Sequence, residues 1–246
     1  MKIEMFNVGY LNIGAGVMRR GEDPERPVRL PIPAYLIENA EERILVDTGL
    51  HPAAAADAAA HYGRPEPLGP FRIEQDASIA EQVDLASLTK VVLTHLHFDH
   101  VGALSLLPPG LPVIVQRREW EAGQDAAAIE RNFFVPADYA DAQPTLVDGE
   151  YDLLGDGSIR LIPTPGHTPG HQSVVAGSVI IGGDVALFAS ALDDHRMPAF
   201  GDDLEVQVKS AERLRALRDA GAVVLPGHDP EVLVPGPVAG VSAKAA

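Results

Sequence analysis

The sequence predicts an α/β protein of one domain, in which two mixed sheets pack face to face and helices cover the outside. Three observations lead there. Short runs rich in Val, Ile and Leu alternate with helical stretches, in the order strands, helix, strands, helix in each half of the chain. The 246 residues suit one large domain, and neither a linker nor an internal repeat divides them. A composition of 46% hydrophobic and 22% charged residues supplies a sizeable core and excludes global disorder. The domain is expected over residues 1–237, followed by a short flexible tail over 238–246.

Residues 2–8, 34–38 and 43–47 read as strands. Residues 9–33 carry Pro24, Pro27, Pro31 and Pro33 and read as a long loop, a kind of segment that is often functional in a compact domain. Pro52 opens an Ala-rich helix over 53–60, and 63–70 form a turn. Asp76 or Ser78 caps a helix over 77–84. Lys90–Thr94 is a buried strand, 101–107 a short helix stopped by Pro108-Pro109-Gly110, and 113–116 a further strand. Residues 117–134 read as helix and 135–143 as loop. Short strands follow at 145–148, 151–154, 158–162, 171–176 and 178–182, punctuated by Gly, Pro and Asp. Leu204, Val208, Ala211, Leu214 and Leu217 recur at helical spacing, with Asp202 or Asp203 to cap the helix and Gly221 to end it. A last strand covers 222–225.

Charge removes several functions. With 19 Lys and Arg against 35 Asp and Glu, the net charge of −16 offers no field for nucleic acid or an anionic membrane surface. No apolar run approaches the roughly 18 residues of a membrane span. Met1-Lys2-Ile3-Glu4-Met5 shows no apolar signal core, so the expectation is a soluble, cytoplasmic protein. The chain has no cysteine, which excludes thiol catalysis, iron–sulfur ligation and Cys-based zinc sites. Any transition metal must therefore use the nine histidines together with carboxylates.

Those residue types cluster. Thr94-His95-Leu96-His97-Phe98-Asp99-His100 follows a buried strand and precedes a helix. Alternation puts His95 and His97 on one side, while Asp99 and His100 turn toward a second point nearby. Buried unpaired His and Asp are costly, and a metal is the most economical partner. Three further candidates sit just past strands: His167, Asp184 and His228, each beside a Gly that lets the backbone turn sharply. Seven ligands suffice for two metals. His51, His61 and His195 lack ligand spacing and read as surface residues. Gly14 and Gly16 do not form a nucleotide loop, since neither a strand–helix pattern nor a Lys follows.

The motif His95–His100 with His167, Asp184 and His228 resembles the metallo-β-lactamase-fold hydrolases over roughly residues 2–233. That resemblance implies a four-layer αββα sandwich. It also implies one metal on His95, His97 and His167, a second on Asp99, His100 and His228, and Asp184 bridging both. His97 stands where the flavin-linked di-iron branch carries a Glu. The segments Leu30–Leu36, Ile44–Gly49, Val113–Arg117 and Thr164–Ser173 are most similar to the quorum-quenching N-acyl-homoserine lactone lactonases. The implied reaction is attack of an activated water on a lactone carbonyl. Asp99 and Asp184 carry the catalysis, with two divalent ions, zinc first and cobalt, manganese or iron as alternatives. Asp47, in Val46-Asp47-Thr48-Gly49, and His171 are candidates to stand behind the ligands. Segments 9–33 and 123–143 are expected to wall the pocket, with Met18, Phe98, Phe133, Phe134 and Tyr139 as candidate lining. The resemblance allows a homodimer.

One departure stands out. Those lactonases carry a Tyr three residues after the bridging Asp, where this chain has Leu187. Tyr10, Tyr35, Tyr139 or Tyr151 are the candidates to replace its hydroxyl. The competing expectation is a hydrolase of the same fold acting on another ester, a thioester, an amide or a phosphodiester.

Overall fold

The first long strand, β1 (Lys2–Gly14), alternates buried and partly exposed residues over most of its length, as a strand with two differently packed faces must. It pairs antiparallel with β2 (Pro27–Glu38), and β2 with β3 (Arg43–Val46). β4 (Arg72–Glu74) adds to the β1 side. β5 (Lys90–Val92), β6 (Val113–Gln116) and β7 (Thr145–Val147) continue from β3 in parallel. The second sheet holds β8 (Tyr151–Asp152), β9 (Ile159–Pro163), β10 (Gln172–Ala176), β11 (Val179–Ile181) and β12 (Val223–Leu225). Its strands are antiparallel except for the parallel pair β11 and β12. A short β13 (Gly236–Pro237) returns to pair with β1. This is a computed structural model, and it describes residues 1–240.

Three apolar clusters separate four layers. Ile3, Ile37, Ile44 and Val92 from one sheet meet Leu161, Val174, Val179 and Ile181 from the other, so the sheets face each other across a shared core. On the outer face of the first sheet, Leu45, Val91 and Val115 pack against Ile79, Val101 and Leu104. On the outer face of the second, Ile162 and Ile180 pack against Leu192, Ala211 and Leu214. The expected αββα sandwich is what results.

The helices are shorter than the sequence suggests. Helix α1 is Ala15–Met18. The Ala-rich stretch divides at Asp57 into α2 (Pro52–Ala56) and α3 (Ala58–Tyr62), because the Asp57 side chain caps α3 by accepting from Ala60 N–H. α4 (Ile79–Gln82) has a capping box of Ser78 and Glu81. α5 (Phe98–Val101) lies inside the ligand motif and a 3-10 turn at Leu104–Leu106 follows it. The expected helix over 117–134 divides into α6 (Arg117–Ala122) and α7 (Ala126–Asn132), with Asp125 capping the second. α8 (Ala191–Asp194) precedes α9 (Leu204–Asp219), which Asp203 caps.

The largest departure concerns residues 9–33. Most of this stretch is strand, paired from Gly14 opposite Pro27 down to Lys2 opposite Glu38, with a register shift between Asn7 and Tyr10. Proline argues against a central strand. Here β3 pairs only with Tyr35–Glu38, so the proline-rich half of β2 has a partner on one side alone. The expected tail begins at 238. There Val238 N–H donates to Ile3 O at 2.9 Å, and residues 241–246 lie outside the described part.

Candidate metal centre

β3 and β5 run parallel in one sheet, and β9, β11 and β12 run parallel in the other. Parallel strands end at the same edge, so five C-terminal ends meet at one place. The segments leaving them carry Asp47, His95–His100, His167, Asp184 and His228. All seven predicted ligands are buried there. The turn before His228 needs a glycine, since a Cβ on Gly227 would lie 2.2 Å from the Asp184 carboxylate.

The seven candidate ligands fall into two groups, each able to hold a metal ion. In the first, His97 Nδ1 lies 3.0 Å from both His95 Nε2 and His167 Nε2. In the second, Asp99 Oδ2 lies 3.4 Å from His228 Nε2 and 3.8 Å from His100 Nε2. Asp184 stands between them. Its Oδ2 is 3.3 Å from His167 Nε2 and 3.3 Å from His228 Nε2, and its Oδ1 is 3.5 Å from His100 Nε2.

Four of the five other ring nitrogens are committed to oxygen acceptors, and His167 Nδ1 is buried without a partner. His97 Nε2–H donates to Asn132 O at 2.7 Å and His228 Nδ1–H to Pro31 O at 2.8 Å. His100 Nδ1–H donates to Asp47 Oδ2 at 2.8 Å. His95 Nδ1–H reaches Thr94 Oγ1, which itself donates to Asp47 Oδ2. Each of these bonds fixes a tautomer and leaves the inward nitrogen with a free lone pair. His100 Nε2, His228 Nε2 and Asp184 Oδ1 have no hydrogen-bond partner although buried. Orphaned acceptors converging in two sets of this donor chemistry fit two divalent cations.

Burial, with the neighbouring imidazoles, pushes His95 and His97 well below the usual histidine range. Burial also opposes charge on His100 and His228, but the facing carboxylates outweigh it, Asp184 foremost, and raise both. Burial would raise Asp184, yet the His228 and His100 rings hold it well below the usual carboxylate range.

Asp47 and His171 lie behind the ligands. Asp47, at a left-handed φ of 59°, accepts from Thr94 N–H, Thr94 Oγ1 and His100. His171 is pushed down to about 3 by burial and by His167, so it stays neutral and accepts the Asp184 backbone N–H through Nε2 at 3.0 Å. Sequence reasoning missed three contributors: the carbonyls of Pro31 and Asn132, and the carboxylate of Glu119. A backbone carbonyl leaves no mark on residue type, and an acid in the first turn of a helix reads as solvent-facing.

Over the centre, Leu11, Met18, Phe71, Phe98, Phe133 and Phe200 close an apolar cavity whose floor is His97, Asp99, Asp184 and His228. It continues into a groove of about 500 Å³ past Leu68, Ile129 and Phe134. Phe133 stands 63% exposed at the mouth. Tyr139 does not line it; its hydroxyl donates to Gly123 O. Leu187 is buried in the core. Tyr10 lies under the Arg29 guanidinium, Tyr35 is buried between the sheets and Tyr151 is exposed on β8. The lining of the cavity thus contains no tyrosine. His51 caps α2 and stacks on His61 at 4.3 Å, away from the centre.

A fold of this layering with paired His–Asp clusters at the strand ends defines a class of metal-dependent hydrolases. The profile of the metallo-beta-lactamase superfamily matches residues 27–228, and the chain belongs to that superfamily. Within it, the chain is similar to the N-acyl homoserine lactonase AttM of Azorhizobium caulinodans, 29% identical over 94% of each chain. It is 30% identical, over 85% of each, to the N-acyl homoserine lactonase AiiA of Bacillus thuringiensis subsp. kurstaki. A solved N-acyl homoserine lactone hydrolase with N-hexanoyl-L-homoserine bound at its catalytic metal centre superposes with a TM-score of 0.81. Its identity is 26%, and the match covers 94% of both chains.

Proposed function

We propose that this protein hydrolyses the ring ester of N-acyl-homoserine-lactone-like substrates, using two divalent cations, zinc first. The observation that carries the reading is Asp184, whose two oxygens face both ligand groups at the floor of an apolar cavity. His95, His97 and His167 would hold one cation, Asp99, His100 and His228 the other, and Asp184 would bridge them. When bound, such a pair supplies Lewis acidity and brings the pKa of water toward about 7.

The chain's own residues do the rest. Asp99 reaches the cavity floor with its carboxylate, where it orients the attacking water and carries the proton to the leaving alkoxide. The phenylalanine walls exclude bulk water and take the acyl chain, while the groove past Phe133 leaves room for a long one. Asp47 and His171 hold His100 and Asp184 in place. The lining without a tyrosine favours a second reading, in which esters with better leaving groups are the preferred substrates.

The test is a panel on metal-loaded protein: N-hexanoyl and N-decanoyl homoserine lactones, an aryl ester, a thioester and a phosphodiester. Ring opening at the highest kcat/KM, abolished by Asp184→Ala, supports the first reading. Aryl ester turnover with inert lactones supports the second. A fully inert panel removes both.

A further inference from the structure

Glu119 is a carboxylate with no access to solvent, on a helix that carries no ligand. Its Oε1 accepts the backbone N–H of Leu96 at 3.0 Å, and Oε2 accepts that of Gly170 at 2.8 Å. Leu96 lies between His95 and His97. Gly170 lies between His167 and His171. One side chain therefore ties the two loops that supply three converging imidazole nitrogens. The packing around it is close. A Cβ on Gly170 would lie 2.1 Å from Glu119 N, and Leu96 is wholly buried against the helix end at Gly123. Glu119 makes no hydrogen bond to Asp99, His100 or His228, and the rings of His100 and His228 are held instead by Asp47 and Pro31 O.

We propose that Glu119 is the positioning residue of the His95–His97–His167 half of the centre, a buried carboxylate that sets the spacing of two ligand-bearing loops by accepting one backbone N–H from each. Backbone donors in a dry interior need acceptors, and a carboxylate offers two oxygens on a rigid plane. An amide offers one oxygen and two donors. Glu119→Gln therefore keeps the volume and leaves either Leu96 N–H or Gly170 N–H facing an NH2 group. One loop is released and the three-nitrogen geometry loosens, although no ligand has been changed.

The inference rests on the two-cation reading above, and its test separates the two. Zinc binding to metal-free protein is measured against a competing chelator in two backgrounds. His228→Ala leaves the first half as the intact site, and His97→Ala leaves the second. In the His228→Ala background, Glu119→Gln is expected to weaken zinc by about 10- to 100-fold, the usual effect of removing a group that orients ligands. In the His97→Ala background the change is expected to stay within about 3-fold. Equal weakening in both backgrounds, or in neither, overturns the positioning role, because general loss of packing does not choose a half. Should Glu119→Gln not fold, Glu119→Asp makes the same comparison, since its shorter arm keeps the charge and cannot span both donors. Zinc binding in neither background before Glu119 is touched overturns the metal reading itself.

Discussion

The two halves of the centre are built differently. The His95–His97–His167 half has three imidazoles, and burial keeps His95 and His97 neutral, so its lone pairs need no deprotonation. Its loops are braced through the backbone, by Glu119. The Asp99–His100–His228 half holds a carboxylate, and Asp184 draws His100 and His228 toward protonation. Its rings are braced directly, by Asp47 and by the Pro31 carbonyl. The first half thus adds a carboxylate brace on its backbone to the ring bonds of His95 and His97, whereas in the second the named braces act on the rings of His100 and His228. Asp184 stands between them, its oxygens facing both groups.

The change that erases the comparison should have the largest effect. Asp184→Ala removes a ligand from both halves. Bound metal, measured by elemental analysis, is expected to fall from two equivalents toward none, and turnover by at least about 10³-fold. Retention of two metals would break the bridging assignment. Next come the single-half variants. His97→Ala and His228→Ala should each leave one equivalent, and swapping the metal supplied should change only the surviving half. Third is Asp47→Asn, which keeps an acceptor but loses the charge opposite His100. It should weaken metal at the Asp99–His100–His228 half by about 10- to 100-fold and at the other half less, because Asp47 reaches His95 only through Thr94.

The smallest effect is on stability against pH. Burial raises Glu119 to about 7 from 4.5, against the pull of the Gly170 and Leu96 N–H groups. Its neutral form is therefore more favoured in the folded chain than in the unfolded one. The stability this contributes is present below pH 4.5 and is lost as pH rises toward 7, with a slope of at most about 1.4 kcal/mol per pH unit. Glu119→Gln lacks that slope. In metal-free protein, the difference in unfolding free energy between the two chains should narrow across pH 4.5–7. A constant difference would show that folding leaves the Glu119 pKa unshifted.

Much of the candidate centre was legible because a transition metal in a chain without cysteine needs His and carboxylates, and because such residues crowd at strand ends. His95–His100, His167, Asp184 and His228 announce themselves by type and by the glycines beside them. The braces do not. Pro31 and Asn132 act through carbonyls every residue has, and Glu119 resembles any surface acid on a helix. The sandwich was legible from its apolar runs. The helices were overrun at Asp57 and Asp125, where an aspartate caps a new helix inside one apparent segment. The hairpin of β1 and β2 was misread because prolines signal a loop unless the strand's outer side is unpaired.

That unpaired side has a consequence for the behaviour of the molecule in concentrated solution. An exposed strand margin invites a neighbouring chain to add to the sheet, the first step of aggregation. Pro27, Pro31 and Pro33 are all odd-numbered, so along an extended strand their missing N–H groups fall on one side. Pro27 alone of the three is exposed, while Pro31 and Pro33 are buried and the Pro31 carbonyl is taken by His228, so an arriving chain finds this margin covered except at its proline-capped end. The proline that signals a loop in the sequence and the ring of His228 together deny the sheet a growing end.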